Sequence, residues 1–386
     1  MYRPVRVGFV THYAALYGAN RSLLNLIDGL RAHGVESCVV MPEEGDLARE
    51  LSARKVPFAS MPLQWWVSPY RWRREQAARL FSNLRLLPRL ARQLRRWNVH
   101  AVYTNSAVIP SGAFAAKLLK RPHIWHLREF VGLDYGFHYD WGERPFRAVL
   151  QWAEAIIAVS EPVRAHLVGE RGREKTHVIH NGVAWEAEFD RFYQQASRKH
   201  ADGSRYTFAL VGVIHPAKGQ KDALAAMARL KHRFPGARLL IVGSGRKRDT
   251  DECRRLAHEL GLDERVEFPG YIDNPYSAYF AADAVLMCSK HEALGRATIE
   301  AMASCRPVIG YDSAGTSELI EHEATGLLYR GGPEELAECM ERFIERPNWA
   351  RQLGQNGWRV ARAKFTIERY AGQVYGVLDS VVRHRA

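Results

Sequence analysis

The chain has 386 residues, 47% of them hydrophobic, with 55 Lys and Arg against 42 Asp and Glu and a formal net charge of +13. That length exceeds one ordinary hydrophobic core, so two domains are expected. No apolar run reaches the ~18 residues that span a bilayer, and residues 1–11 read as a core strand rather than a signal segment, so the cytoplasm is the expected compartment. The five cysteines have neither zinc-ligand nor redox spacing and read as reduced thiols. The charge admits three partners: nucleic acid, an anionic membrane, or a phosphate-rich substrate.

Apolar runs alternate with helical spacing along the chain. Residues 5–11 read as a strand, 22–32 as a helix stopped by Gly34, and 37–41 as a second strand. From Arg71 to Arg96 there are nine arginines and a single acid, Glu75. Leu80, Leu84, Leu87, Leu90, Leu94 and Trp97 recur at helical spacing there on one face, and from Leu84 to Trp97 the leucines are expected to face the sheet, with arginines outward. Pro88 is expected to divide the stretch and to begin a second helix. The aromatic run before it, with Trp65, Trp66, Tyr70 and Trp72, fits no core strand. Together with Arg73 and Arg74 it suits an anionic membrane surface.

Further strands are expected at 101–105, 124–127, 155–160 and 178–179. A polar stretch at 186–205 reads as a linker between a first domain, 1–185, and a second, 206–364. In the second domain, strands are expected at 206–212, 238–243, 266–268, 284–288 and 307–310, with a helix at 221–234. Residues 365–386 read as a last helix returning to the first domain. Such alternation predicts an α/β chain of two doubly wound Rossmann-like domains, facing each other across a cleft at the carboxyl ends of their strands.

The strongest chemistry lies at residues 289–303. A strand runs into a short loop, Gly295 permits a tight turn, and a helix starts near Arg296. The first amides of a helix lack internal partners and form a phosphate site. Glu300, one turn in, could accept from two ribose hydroxyls, and Glu292, before the helix, could face a sugar. On spacing alone, a surface loop before a helix with an exposed glutamate is the simpler reading.

The wider sequence adds to this. EALGRATIEAMASCRPVI (292–309), followed by GYDSAGTSELIEHEATGLLY (310–329), resembles the signature of glycosyltransferase family 4, the group 1 glycosyltransferases of GT-B fold. The resemblance implies a retaining transfer without metal or cofactor, the nucleotide-sugar being a co-substrate. It implies that Glu300 holds the donor ribose, that Glu292 holds the sugar hydroxyls, and that amides around Leu294, Gly295 and Arg296 hold the distal phosphate. LVGVIHPAKGQKD (210–222) is similar to the family's loop ending in Lys-Gly, so Lys218 would pair with the diphosphate. Val213 stands where the family has arginine, and Lys221 or His215 is expected to compensate. VTHYAALYGANRSLL (10–24) resembles the glycine-rich loop, with Gly18 near the donor although Tyr17 replaces its first glycine. HIWHLREF (123–130) offers His126 as the active-site histidine, with Arg128 and Glu129 toward the acceptor. Cys305 occupies a usual glycine position and is expected to tighten its turn.

The expected activity is therefore transfer of a hexosyl group from a nucleotide-sugar to a glycan or lipid-linked acceptor, in cell-surface polysaccharide or glycoconjugate synthesis. The protein would be cytoplasmic, peripheral on the inner face of the membrane. Two rivals use the same features. A sugar-nucleotide epimerase would need paired acid/base groups flanking the sugar, and none can be placed. A non-catalytic binder of nucleotide-sugar or nucleic acid is the other; against nucleic acid, the arginines concentrate in one helical stretch and no nucleic-acid module is present.

Overall fold

A computed structural model describes residues 5–70, 72–197 and 205–383. Arg71 and the second part of the expected linker, 198–204, lie outside the described residues. The chain divides into two compact units, residues 1–182 with 367–386, and residues 183–366.

The first unit is built on seven parallel strands. In chain order they are β1 (Arg6–Val10), β2 (Glu36–Met41), β3 (Phe58–Ser60), then β5 (Ala101–Thr104), β6 (His123–Leu127), β8 (Ala155–Ala158) and β9 (Thr176–Val178), in the spatial order β3-β2-β1-β5-β6-β8-β9. The short strands β4 (Val67–Ser68) and β7 (His138–Tyr139) pair antiparallel outside the sheet. Central strands such as β5 and β8 are buried at every residue, the pattern of strands covered on both faces. The order reverses between β1 and β5, which makes their carboxyl ends the natural ligand crevice of this unit.

The helix Gly18–Arg31 covers one face of the sheet, and the last helix, Ile367–Arg383, packs on it. Tyr370, Ala371, Val374, Val377 and Leu378 join Leu23, Leu26 and Ile27 in one apolar cluster, which fixes the chain's end to the first unit.

On the other face runs a single helix, Arg73–Arg96. Pro88 lies inside it and does not start a new helix, contrary to the expectation. The leucine face also divides. Leu90 and Leu94 are buried, but Leu80 and Leu84 are exposed. The first half of the helix is anchored by polar groups instead: Asn83 Oδ1 accepts from the Gln64 amide at 2.8 Å, and its Nδ2 donates to the Gln64 carbonyl at 2.9 Å. These bonds outweigh the apolar pattern because buried amides must be satisfied.

The aromatic run before the helix also departs from expectation. Trp65 and Trp66 turn inward, their indoles donating to the carbonyls of His12 at 2.7 Å and Ala107 at 2.9 Å. Trp66 also stacks on Trp125, with ring centroids 5.8 Å apart. Both tryptophans are half-buried, with their indole nitrogens bonded within the fold. Trp72, Arg73 and Arg74 do stay exposed.

The second unit has six parallel strands: β10 (Tyr206–Val211), β11 (Ala237–Val242), β12 (Val266–Gly270), β13 (Ala284–Met287), β14 (Val308–Tyr311) and β15 (Gly326–Tyr329). Their order is β12-β11-β10-β13-β14-β15, reversing between β10 and β13. The strand β15 was not among those expected. The start of the expected linker is a helix, Glu186–Ser197, within this unit. It looks polar in sequence, yet Phe189 is fully buried, its carbonyl accepts from the Trp358 indole at 3.0 Å, and Asp190 pairs with Arg362 at 2.8 Å.

Candidate functional site

The chemistry-bearing residues of the second unit gather at the carboxyl ends of β10 and β13, the two strands at the switch point. After β13 the chain turns through residues 288–295 into the helix Arg296–Ala303. Gly295 has φ 90°, a backbone conformation that glycine adopts without strain. The helix thus starts from the loop that follows the carboxyl end of β13, and its first amides and dipole favour an anion there.

A second loop braces the first. Gly315 N–H donates to the Glu292 carbonyl at 2.9 Å, and a Cβ at Gly315 would lie 2.6 Å from both the Ala293 carbonyl oxygen and the Leu294 Cα. Only glycine permits this approach. The loop holding Glu292, Leu294 and Gly295 is thus shaped by 312–315.

Glu300 is buried one turn into the helix. Its Oε1 accepts from Arg296 Nε at 2.7 Å and its Oε2 from the Tyr279 hydroxyl at 2.9 Å. Burial pushes the Tyr279 hydroxyl well above its ordinary range, so it remains a donor. Each carboxylate oxygen keeps further accepting capacity, and the two are held in fixed directions. Tyr279 lies 21 residues before its partner and carried no signal in the sequence.

Lys218 ends a one-turn 3-10 helix, Pro216–Lys218, after β10. Its Nζ lies 2.6 Å from Glu292 Oε2, and both side chains are mostly buried. The structure therefore brings together Lys218, Glu292, Leu294, Gly295, Arg296 and Glu300. Both residues expected to compensate for the arginine missing at Val213 have partners within the fold. Lys221 pairs with Glu252 at 2.7 Å. His215 Nδ1 accepts from the Ala217 amide at 3.2 Å, and burial holds its ring below the ordinary histidine range, so it is no cation at neutral pH. Cys305 does sit at a tight turn, with φ 57°, in the left-handed region its usual glycine would favour.

In the first unit, the loop after β1 is tied by Asn20. Its Oδ1 accepts from the Thr11 hydroxyl at 2.7 Å, and its Nδ2 donates to the carbonyls of Tyr13 and Ala15, each at 2.9 Å. Sequence reading passed over Asn20, although an asparagine just after Gly18 and Ala19 is the residue type that fixes such loops. Gly18 opens the helix Gly18–Arg31, and a Cβ there would meet nothing within 4 Å. The fold itself has no need of glycine at this point.

His126 is the next-to-last residue of β6 and is fully buried. Its Nδ1 lies 2.5 Å from the Tyr103 hydroxyl, while Nε2 is buried with no hydrogen-bond partner. Burial, then the nearby Arg128 charge, holds the ring well below the ordinary range, so it is neutral. Burial also keeps the Tyr103 hydroxyl protonated. Where the Tyr103 hydroxyl donates to Nδ1, the hydrogen of the neutral ring lies on Nε2, which is then a donor.

Arg128 was expected toward an acceptor. Instead its guanidinium is a tie: Nε donates to Asn105 at 2.7 Å, one terminal nitrogen to Asn181 at 2.7 Å, and the other to the Tyr370 hydroxyl at 2.9 Å. A buried guanidinium needs these partners for itself. Glu129 is partly buried and accepts from the Ser106 hydroxyl at 2.5 Å and the Ala107 amide at 2.6 Å. Burial pushes its carboxyl up to about 7, against the two hydrogen bonds that lower it. Among the described residues, no three His, Cys, Asp or Glu side chains stand as a metal-holding group.

Known proteins resemble this chain in sequence and in fold. The profile described as "Glycosyl transferases group 1" matches residues 193–360, and that of "Glycosyltransferase Family 4" matches 17–186. The alpha-D-kanosaminyltransferase of Streptomyces kanamyceticus is 27% identical over 258 residues, 62% of this chain and 66% of that protein. The D-inositol 3-phosphate glycosyltransferase of Nocardia farcinica is 43% identical over 131 residues, 32% of this chain and 29% of that one. The chain thus spans less than two thirds of each of these relatives. In structure, Anabaena Alr3699/HepE, solved with UDP-glucose, superposes with a TM-score of 0.79 at 22% identity, covering 97% of this chain and 99% of that one. Two Rossmann-like sheets and two matching family profiles, together spanning most of the sequence, establish that the chain belongs to the group 1 glycosyltransferases, family 4, with the GT-B fold.

Proposed function

We propose that this glycosyltransferase takes a nucleotide-sugar as donor and transfers its hexosyl group, with retention and without metal, to a glycan or lipid-linked acceptor. The observation that carries the reading is the arrangement of Lys218, Glu292 and Glu300 around one helix start. Glu300, fixed by Arg296 and Tyr279, accepts from the two ribose hydroxyls. The helix amides around Leu294 to Arg296 receive the distal phosphate. Lys218 leaves part of its pairing with Glu292 for the diphosphate, and Glu292 is then released toward the sugar hydroxyls. The cation and the helix dipole offset the charge that builds on the departing diphosphate, a role a metal plays elsewhere. The ligands named for Anabaena HepE, UDP and UDP-glucose, support a uridine donor.

The acceptor belongs to the first unit in this reading. The acceptor oxygen bonds to the anomeric carbon as the bond to the phosphate oxygen breaks, and the acceptor proton passes to that departing oxygen on the same face. His126, a neutral Nε2–H donor, binds a hydroxyl of the transferred sugar. Glu129 takes the acceptor hydroxyl, and Gly18 leaves room for the ligand beside the first helix. Peripheral attachment to an anionic membrane on its cytoplasmic side, and a place in cell-surface glycoconjugate synthesis, belong to the same proposal. Among the described residues, no helix is long and apolar enough to cross a membrane.

A thermal-shift panel of UDP-, GDP-, ADP- and dTDP-sugars tests the donor. One of them is expected to raise the melting temperature, with EDTA making no difference; no shift from any would overturn the reading. In transfer assays, His126→Ala is expected to lower kcat by more than it weakens donor binding.

A further inference from the structure

The helix Arg73–Arg96 is set against its own apolar pattern. Arg79 makes a two-pronged pair with Asp140, at 2.6 and 3.0 Å, and Asn83 binds Gln64, so polar side chains fix the inward face of its first half. Leu80, Phe81 and Leu84 are left 39%, 68% and 49% exposed. Ala77, Phe81, Leu84 and Pro88 repeat at steps of four, three and four, so they form one stripe, with Leu80 beside it. Arg74, Arg85, Arg89, Arg92 and Arg96 line the outer flank of that stripe, all exposed. Just before the helix, Tyr70 and Trp72 stack at 4.9 Å and are also exposed. Five of the twelve large exposed hydrophobics among the described residues fall between Tyr70 and Leu84.

This combination selects the partner. A purely solvated helix has no use for a stripe of Phe and Leu. A second copy of the chain would set one arginine row near another, with Glu75 as the helix's only acid to answer it. An anionic bilayer answers both halves. Its acyl boundary takes the stripe, and its phosphates take the arginines, whose long stems reach past apolar surface. Stacked Tyr and Trp suit the headgroup level.

We infer that the face formed by Tyr70, Trp72, Leu80, Phe81, Leu84 and the flanking arginines docks on anionic phospholipid. The inference rests on the membrane-peripheral reading above and names its surface, and its test uses no nucleotide-sugar. Flotation is measured with vesicles of phosphatidylcholine alone and of phosphatidylcholine with phosphatidylglycerol in equal parts. The protein is expected to float with the anionic vesicles only, less as salt rises. Phe81→Ser with Leu84→Ser is expected to weaken binding at least about ten-fold, from the apolar area removed. Arg85→Gln and Arg89→Gln are each expected to cost roughly five-fold. Both sets replace exposed side chains, so melting temperature and nucleotide-sugar stabilisation should match wild type. No flotation of the wild type at low salt overturns the proposal, as does unchanged flotation of both sets of variants. A dimer that Phe81→Ser with Leu84→Ser dissociates, with no flotation, overturns it in favour of a second copy. Flotation without any nucleotide-sugar shift leaves the docking face standing and sinks only the donor reading.

Discussion

Replacing Glu300 with glutamine separates donor binding from folding. The carboxylate accepts from Arg296 Nε and the Tyr279 hydroxyl. In Glu300→Gln the carbonyl can keep the Arg296 bond, and the Tyr279 hydroxyl can turn to accept from the new amide. The folding cost is therefore about 1 kcal/mol, a fall in Tm of about 2–4 °C. Donor binding suffers more. A ribose diol that meets two carboxylate oxygens in the proposed site would meet one carbonyl and one amide donor instead. Losing a hydrogen bond to a charged acceptor costs about 1.5–3 kcal/mol, or roughly 10- to 150-fold in Kd. Isothermal titration with the stabilising nucleotide-sugar measures it. A Kd within about three-fold of wild type, in a folded variant, would refute the assignment of Glu300 to the ribose.

Gly315→Ala should disturb the same loop from behind, because its Cβ would strike backbone at Ala293 and Leu294; about 1–3 kcal/mol of stability and measurable donor affinity should be lost, read by thermal melting and titration. Arg128→Met should leave Asn105, Asn181 and Tyr370 without their shared donor and cost about 3 kcal/mol or more, read by denaturant unfolding; a loss confined to acceptor KM, with stability intact, would restore Arg128 to the acceptor site. Acid should unfold the first unit early. His12 and His123 are held down to about 3, mainly by burial, and His126 is also depressed. They stay neutral in the fold but protonate near 6.5 when unfolded, so their contribution is present above pH 6.5 and is lost as pH falls from there toward 3. Equilibrium unfolding followed between pH 7 and 4 should show stability falling, and His123→Gln should flatten that fall.

Most strand positions were legible because inner strands such as Ala155–Ala158 are short unbroken apolar runs, and the turn into the helix at Arg296 was legible because Gly295 and its flanking residues are neighbours in sequence. What failed depended on distant partners. The inward turn of Trp65 and Trp66 is decided by carbonyls at His12 and Ala107, 53 and 41 residues away. The helix Arg73–Arg96 has a leucine pattern that fits burial or exposure equally, and Asp140 and Gln64 choose between them. Tyr279 gives no hint of Glu300 until the fold places them 2.9 Å apart. The helix Glu186–Ser197 was hidden by its acidic residues, while buried Phe189, the ring contacts of Phe192 and the Asp190–Arg362 pair hold it.

Hydrogen–deuterium exchange, with and without the nucleotide-sugar that stabilises the protein, tests the donor site most directly. Slowed exchange is predicted in residues 214–221 and 292–299, where the lysine turn and the helix start would close on the diphosphate. Stabilisation with exchange unchanged in both segments would contradict the placement of the donor there.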